Sequence, residues 1–259
     1  NLAQWARGGA GTGRATVRQA DATTVDLEGR TVFCDPARRT GAGRTWQVGD
    51  FSPPWEFVTG VLARAEGACL KLGPGLPHRL IPPEALTEWV SHRGDLVEAC
   101  IWSPTLTGGR AGRAALLLPA GDSLSVDPAV PGAPVGDPQR YLHEPDPGVL
   151  ASGALPTLAA ATGARRVHPE IAYLITDTLV ASAFWTTFEV LDSFPWREKD
   201  LRRWVADHRI GTLEIKKRGI NVDPAALRRR LRPTGPERAT IIITPTRSSA
   251  RVLVVERVR

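Results

Sequence analysis

The stretch Val32-Phe33-Cys34-Asp35-Pro36-Ala37-Arg38-Arg39 decides how the chain folds. With Thr31 in front, its first half is a short β-rich apolar run, and it ends at Asp35-Pro36 because proline has no N–H with which to continue a ladder. Open α/β sheets bind ligands just outside the carboxyl ends of their strands, which is where Asp35 falls. Working outward, Trp55, Val58, Val61 and Leu62 recur at helical spacing after Pro53-Pro54, and a proline suits a first helical turn. Residues 68–72 read as a second buried strand broken by Gly73-Pro74-Gly75. Residues 88–91 and 96–102 flank a tight turn made by His92, Arg93, Gly94 and Asp95, which predicts an antiparallel hairpin. Strand, helix, strand and terminal hairpin are a common way for a doubly wound sheet to finish. Residues 114–118 and 124–126 are further short strand candidates.

The stretch 126–148 is dense in proline, glycine and aspartate and marks the expected domain boundary. The expected organisation is a first domain over 1–128, a Pro-rich linker over 129–147 and a second domain over 148–259. In the second domain a helix is expected near 148–162 and strands near 171–175 and 184–191. The last part alternates as helix 199–208, strand 212–217, helix 224–231 and a hairpin of 239–244 with 252–258. Counted from strand 184–191, the order is βαβαββ, a compact two-layer module.

With 259 residues, 42% hydrophobic and 23% charged, the chain has the composition of a globular protein. It offers no apolar run of about 18 residues to span a bilayer and no charged-then-apolar leader, so no membrane association and a cytoplasmic location are expected. Cys34, Cys69 and Cys100 lack CxxC or Cys/His ligand spacing and sit in strand-like runs, which predicts reduced, mostly buried thiols and no metal site. There is no methionine, and Asn1 falls in a helix-like stretch, from which we expect further sequence ahead of it. Net charge is +6 but uneven: residues 1–145 hold 14 Lys+Arg against 15 Asp+Glu, and 146–259 hold 19 against 12. A footprint confined to one region points to a polyanion partner more strongly than a high pI does.

The tetrad Asp35-Pro36-Ala37-Arg38 resembles the Asp-Pro-Pro-Arg catalytic loop of class I S-adenosylmethionine-dependent methyltransferases. The resemblance implies that Asp35 and the backbone carbonyl after it face the target atom, that Pro36 holds that carbonyl rigid, and that Arg38 belongs to the same catalytic loop. Ala37 stands where the family has a second proline, which leaves the loop less stiff. Upstream, Ala20-Asp21-Ala22 resembles the adenine-binding turn of the same family, and this implies cofactor contacts from Asp21 and Ala22. The family's glycine-rich loop is expected ahead of Asn1. Gly8-Gly9-Ala10-Gly11-Thr12-Gly13 follows a helix-like start rather than a buried strand and reads as a surface loop. S-adenosylmethionine is therefore the expected methyl donor, with only part of its site in this chain. Lys71, Pro74 and His78 close the next strand at the same sheet edge and are candidate substrate-pocket residues. Cys34 has the chemistry of a nucleophile, but it ends an apolar strand beside Asp35 and is expected to be a packed thiol.

The C-terminal part resembles the THUMP-like domain attached to a family of bacterial class I methyltransferases. The similarity lies in Ile171-Ala172-Tyr173-Leu174, Phe188-Glu189-Val190-Leu191-Asp192, Leu213 to Gly219, and Asp223-Pro224 with Leu227 to Leu231. The fold class this implies is α/β: the C-terminal part of a Rossmann-like methyltransferase sheet followed by a small βαβαββ, THUMP-like domain. THUMP domains proper bind RNA. Residues 209–238 hold nine Lys+Arg against Glu214, Asp223 and Glu237, enough to neutralise several phosphates. Lys216, Lys217 and Arg218 end a strand, and Arg228, Arg229 and Arg230 end the next helix; these six are the candidate RNA-binding residues, expected to reach one surface. The leading expectation is methyl transfer to structured RNA, tRNA or rRNA. The alternatives are an RNA-binding protein that uses the methyltransferase fold as a scaffold, and a methyltransferase acting on a small molecule.

Overall fold

The structure, a computed structural model, describes residues 16–36, 39–40, 43–44 and 51–258. The expected Gly8–Gly13 loop, Ala37 and Arg38 lie outside the described residues. The chain forms two large sheets.

The first sheet is built from β1 (Thr31–Cys34), β4 (Gly67–Leu72), β5 (Leu86–His92), β6 (Asp95–Trp102), β7 (Gly112–Leu118) and β8 (Asp122–Ser125), in the order β1-β4-β6-β5-β7-β8. A separate two-stranded ribbon joins β2 (Arg39–Thr40) to β3 (Gly43–Arg44). β1 and β4 run parallel with Cys34 opposite Leu70, and helix α1 (Trp55–Arg64) makes the crossover between them. The β5–β6 hairpin folds back so that antiparallel β6 wedges between β4 and β5. β7 then runs parallel to β5. The carboxyl ends of β1, β4, β5 and β7 therefore share one edge of the sheet. The hairpin turn is Arg93-Gly94, both at positive φ (54° and 87°), the two-residue geometry that matches strand twist.

Alternation sorts the side chains. Trp55, Val58 and Val61 of α1 meet Leu70, Leu72, Trp89 and Ala99 on one face. Cys69, Val90 and Cys100 form a smaller cluster on the other, with Trp102 and Leu116 against it. Helix α2 (Pro104–Thr107) is a single turn after β6. A doubly wound sheet carries helices on both faces; here α1, and α3 (Pro147–Ser152) against β5 and β7, share one face among the described residues.

The second sheet comprises β9 (Tyr141–Pro145), β10 (Arg165–His168), β11 (Ile171–Thr176), β12 (Trp185–Pro195), β13 (Ile210–Lys217), β14 (Glu237–Pro245) and β15 (Ala250–Arg257), in the order β10-β11-β9-β12-β15-β14-β13. From β12 onward, with α5 (Glu198–Asp207) and α6 (Pro224–Leu231), the order is the expected βαβαββ. Leu201, Val205, Leu227 and Leu231 of these helices bury against Leu213, Ile215, Ile241 and Val252. Asp223 accepts from the N–H groups of Ala225 and Ala226 and caps α6.

Two features differ from expectation. The stretch 129–147, read as a linker, ends in β9, which lies between β11 and β12. Its Tyr141 and Leu142 are buried, so cross-strand packing here outweighs the surrounding prolines. The helix expected over 148–162 is two, α3 and α4 (Leu155–Thr162), broken at Gly153, which holds φ +82°. α3 and α4 join the halves: Val149, Leu158 and Ala159 pack with Ala115 of the first sheet and with Leu174 and Trp185 of the second.

Candidate functional site

Asp35 leaves the carboxyl end of β1 on the face opposite α1. In the parallel β1–β4 register it lies beside Lys71, whose Nζ is 3.3 Å from Asp35 Oδ2. Glu98 reaches the same ammonium from β6, at 3.8 Å. Lys71 is therefore a bridging cation between two carboxylates, a half-buried group on a central strand rather than a free one at an edge. Pro36 is buried and fixes the turn after Asp35. Phe33, two residues earlier on the same face, is 65% exposed. Cys34 points the other way, toward the α1 side, and both burial and the Asp35 charge push its thiol pKa up. That makes it a packed thiol, not an activated nucleophile.

The three candidate pocket residues do not converge. Pro74 and His78 are held on the α1 face, where Trp89 Nε1 donates to the Pro74 carbonyl at 3.0 Å and the His78 ring meets Trp89 edge-on at 5.0 Å. Lys71 emerges on the opposite face, because residues one apart in a strand alternate. His78 Nε2 bonds the Ala151 carbonyl at 2.7 Å, and its Nδ1 meets the Arg113 guanidinium. A carbonyl can only accept and a guanidinium can only donate, so Nε2 carries the proton and Nδ1 is an acceptor. Both nitrogens are thereby committed to tying α3 to the first sheet.

Asp21 opens a short 3₁₀ turn, Ala22–Thr24. Its Oδ1 accepts from Thr23 N at 2.9 Å and from Thr23 Oγ1 at 2.8 Å, and these bonds lower its pKa. Among the described residues Oδ2 takes no bond. This one carboxylate oxygen can accept an amine hydrogen, and Ala22 beside it presents no bulk.

The six basic candidates divide between the two faces of the second sheet instead of reaching one surface. Lys216 bonds Glu144 at 2.7 Å and lies 5.3 Å over the Phe188 ring. Arg218 rests 5.1 Å over Tyr173 on the same side. Burial, then Glu144, push the Tyr173 hydroxyl up to about 12. Lys217 points to the helix side and is exposed. On α6, Arg228 Nε donates to the Leu213 carbonyl at 2.7 Å, and Arg230 makes a forked contact with Glu198. Arg230, then Arg202, hold the Glu198 carboxyl below its usual range. Of the helix trio, Arg229 alone carries no ion pair or side-chain hydrogen bond among the described residues.

A second group was not visible in the sequence. A cleft of about 600 Å3 separates the β5–β6 and β7–β8 turns of the first sheet from strand ends of the second. Arg93, Arg218 and Arg257 line it together. These arginines are 164 positions apart at the extremes, and only the strand order brings them to one place. Trp185 at the cleft wall stacks on His143 at 4.0 Å. No cluster of His, Cys, Asp and Glu able to hold a metal occurs among the described residues. No helix among them is long and apolar enough to cross a membrane.

The structure thus joins a six-stranded mixed sheet, with an acidic turn at the carboxyl end of β1, to a βαβαββ module. Residues 185–257 match the family described as THUMP domain-like. Two Mycobacterium tuberculosis proteins, from strains CDC 1551 and H37Rv, are each 32% identical over 237 residues; both are described as uncharacterized S-adenosylmethionine-dependent methyltransferases. The alignment covers 89% of this chain and 64% of theirs. A crystal structure of a protein assigned as a methyltransferase from Porphyromonas gingivalis W83 superposes with a TM-score of 0.71 at 20% identity, over 88% of this chain and 59% of that one. The chain spans less than two thirds of the length of the two Mycobacterium tuberculosis proteins; it is similar to S-adenosylmethionine-dependent methyltransferases, and its residues 185–257 are similar to a THUMP-like domain.

Proposed function

We propose that the protein takes part in S-adenosylmethionine-dependent methylation of RNA, with Asp35 beside the acceptor atom. The observation that carries this is the placement of Asp35 at the carboxyl end of β1, in register with Lys71 and followed by buried Pro36. S-adenosylmethionine supplies an electrophilic methyl on a positively charged sulfur. In this chain Asp21 and Ala22 would meet its adenine edge. Asp35 would accept a hydrogen bond from the acceptor amine or hydroxyl and take the proton that atom loses when it gains the methyl group, whose bond to sulfur would break with the electron pair left on sulfur. Lys71 keeps the Asp35 carboxylate in place, and positioning of the acceptor supplies much of the rate. Free Cys69 and Cys100 suit a reducing, cytoplasmic setting.

RNA, tRNA or rRNA in class, is the substrate we favour over a small molecule, because the charge excess lies in the THUMP-like half. The pairing of Asp35 with Lys71 also suits a second reading, an RNA-binding scaffold with no transfer chemistry. Calorimetric titration of the full-length gene product with S-adenosylmethionine separates the two. We expect saturable binding that weakens when Asp21→Ala removes the adenine acceptor. No binding at sub-millimolar cofactor would leave only the scaffold.

A further inference from the structure

We infer that the cleft between the two halves is a phosphodiester-binding site that leads a single-stranded RNA segment along the sheet edge toward Asp35. This rests on the RNA reading above and adds Arg93 and Arg257, from opposite ends of the fold, to its contacts.

The cleft lining holds as many arginines as carboxylates, and Lys216 on Glu144 tips the sum to one net positive charge. The three carboxylates are Asp122, Glu144 and Asp146. Two of the carboxylates are already satisfied from within: Glu144 by Lys216 at 2.7 Å, and Asp146 by Ser91 Oγ at 2.9 Å and Gly148 N at 2.7 Å. Arg93 and Arg257 form no ion pair among the described residues, and Arg218 faces only the Tyr173 ring. A guanidinium without a carboxylate is a ready two-pronged donor for phosphate oxygens. Arg93 is held firmly: its backbone takes the left-handed conformation at φ 54°, and its N–H donates to the Leu118 carbonyl at 3.1 Å. Non-glycine residues rarely adopt that conformation.

The walls suit a nucleotide rather than a bare ion. Leu118, Pro119, Pro145 and Trp185 give the cleft apolar sides, the combination of cations and apolar faces that single-stranded nucleic acid uses. A volume of about 600 Å3 is that of a site for a ligand of drug size, one or two nucleotides rather than a phosphate alone.

Location links the cleft to chemistry. Ser91 lies near the carboxyl end of β5, Arg93 follows that end, and Leu118 ends β7. These strands run parallel to β1, so the cleft opens on the same sheet edge as Asp35. Three strand positions separate β5 from β1, roughly 14 Å at the usual inter-strand spacing. A strand of RNA anchored by the arginines spans that distance within a few nucleotides.

The test is fluorescence anisotropy of a labelled ten-nucleotide single-stranded RNA across a salt series. It compares the unmodified protein with the triple variant Arg93→Ala, Arg218→Ala, Arg257→Ala and with the charge-keeping Arg93→Lys, Arg257→Lys. Each phosphate contact on a single strand contributes about 0.7 to the salt slope. The triple variant should bind at least tenfold more weakly with a slope smaller by about 2, and the lysine variant should keep most of the slope. Thermal unfolding of each variant checks that the fold is intact. If the unmodified protein binds and the triple variant matches it in affinity and slope, the cleft assignment fails while the RNA reading stands. If the unmodified protein does not bind RNA at all, the RNA reading fails. If an arginine-dependent signal arises only with free mononucleotide or inorganic phosphate, the RNA assignment of the cleft is overturned.

Discussion

His143 is fully buried, with Nδ1 at 3.0 Å from Thr187 Oγ1 and Nε2 at 2.8 Å from Thr176 Oγ1. Thr176 spends its own proton on the Thr178 carbonyl, so it accepts from Nε2–H, and Thr187 donates to Nδ1. The ring is therefore neutral, and burial pushes its pKa down to about 4 from an ordinary 6.5. Between those values the unfolded chain binds a proton that the folded chain refuses, so stability is complete above about pH 6.5 and declines as pH falls toward 4. The expected loss is on the order of 3 kcal/mol. Urea midpoints measured from pH 7.5 to 4 should show it, and His143→Gln should flatten that slope; an unchanged slope in the variant would assign the acid loss to other groups. With both ring nitrogens committed to Ala151 and Arg113, His78→Ala should lower stability by about 1 kcal/mol. Methyl transfer per folded molecule should not change, and a fall of tenfold or more in turnover at constant folded fraction would return His78 to the chemistry.

At the level of elements, Gly211 interrupts the β13–β14 ladder, where the register shifts between Ile210 and Thr212. A Cβ at Gly211 would collide with the backbone of Gly235, and one at Gly235 with the backbone of Arg209. We expect Gly211→Ala to destabilise the module by about 3 kcal/mol or more, since backbone cannot yield as a flexible side chain can. Leu227, fully buried between α6 and the sheet, should cost about 2–5 kcal/mol when cut to alanine. Chemical denaturation measures both; a change below 0.5 kcal/mol in either would contradict the packing described. The strands and helices that the sequence made legible are those with clear periodicity or a strong stop: β1 ending at Asp35-Pro36, α1, the β5–β6 hairpin and α5 to β15. β9 was hidden because it stands among prolines, and β10 because Arg165, Arg166 and His168 surround one apolar residue, Val167. The Gly211–Gly235 approach depends on which strands become neighbours, which local pattern does not encode.

Across the whole molecule, charge segregation was readable but its geometry was not. Lys216, Lys217 and Arg218 are consecutive, yet strand alternation sends Lys216 and Arg218 to one side of the sheet and Lys217 to the other. Arg228 and Arg230 are adjacent to Arg229 in a run, yet one holds the Leu213 carbonyl and the other Glu198. Asp35 and Lys71 were both singled out from sequence, and the parallel β1–β4 register is what makes them a pair. Pro74 and His78, in the same loop as Lys71, go to the opposite face. The arginines that do share a cleft, Arg93, Arg218 and Arg257, come from a hairpin turn, a strand end and the last strand. Joining them required the topology of both sheets and the α3–α4 bridge that holds the halves together. Chemistry at the carboxyl end of β1 is read by following isotope from methyl-labelled S-adenosylmethionine into RNA, with the protein and its Asp35→Asn variant side by side. Label should enter RNA with the unmodified protein and fall at least a hundredfold with the variant, while cofactor affinity holds. Absence of label in RNA under conditions where cofactor binds, or equal labelling by the variant, would contradict methyl transfer to RNA at Asp35.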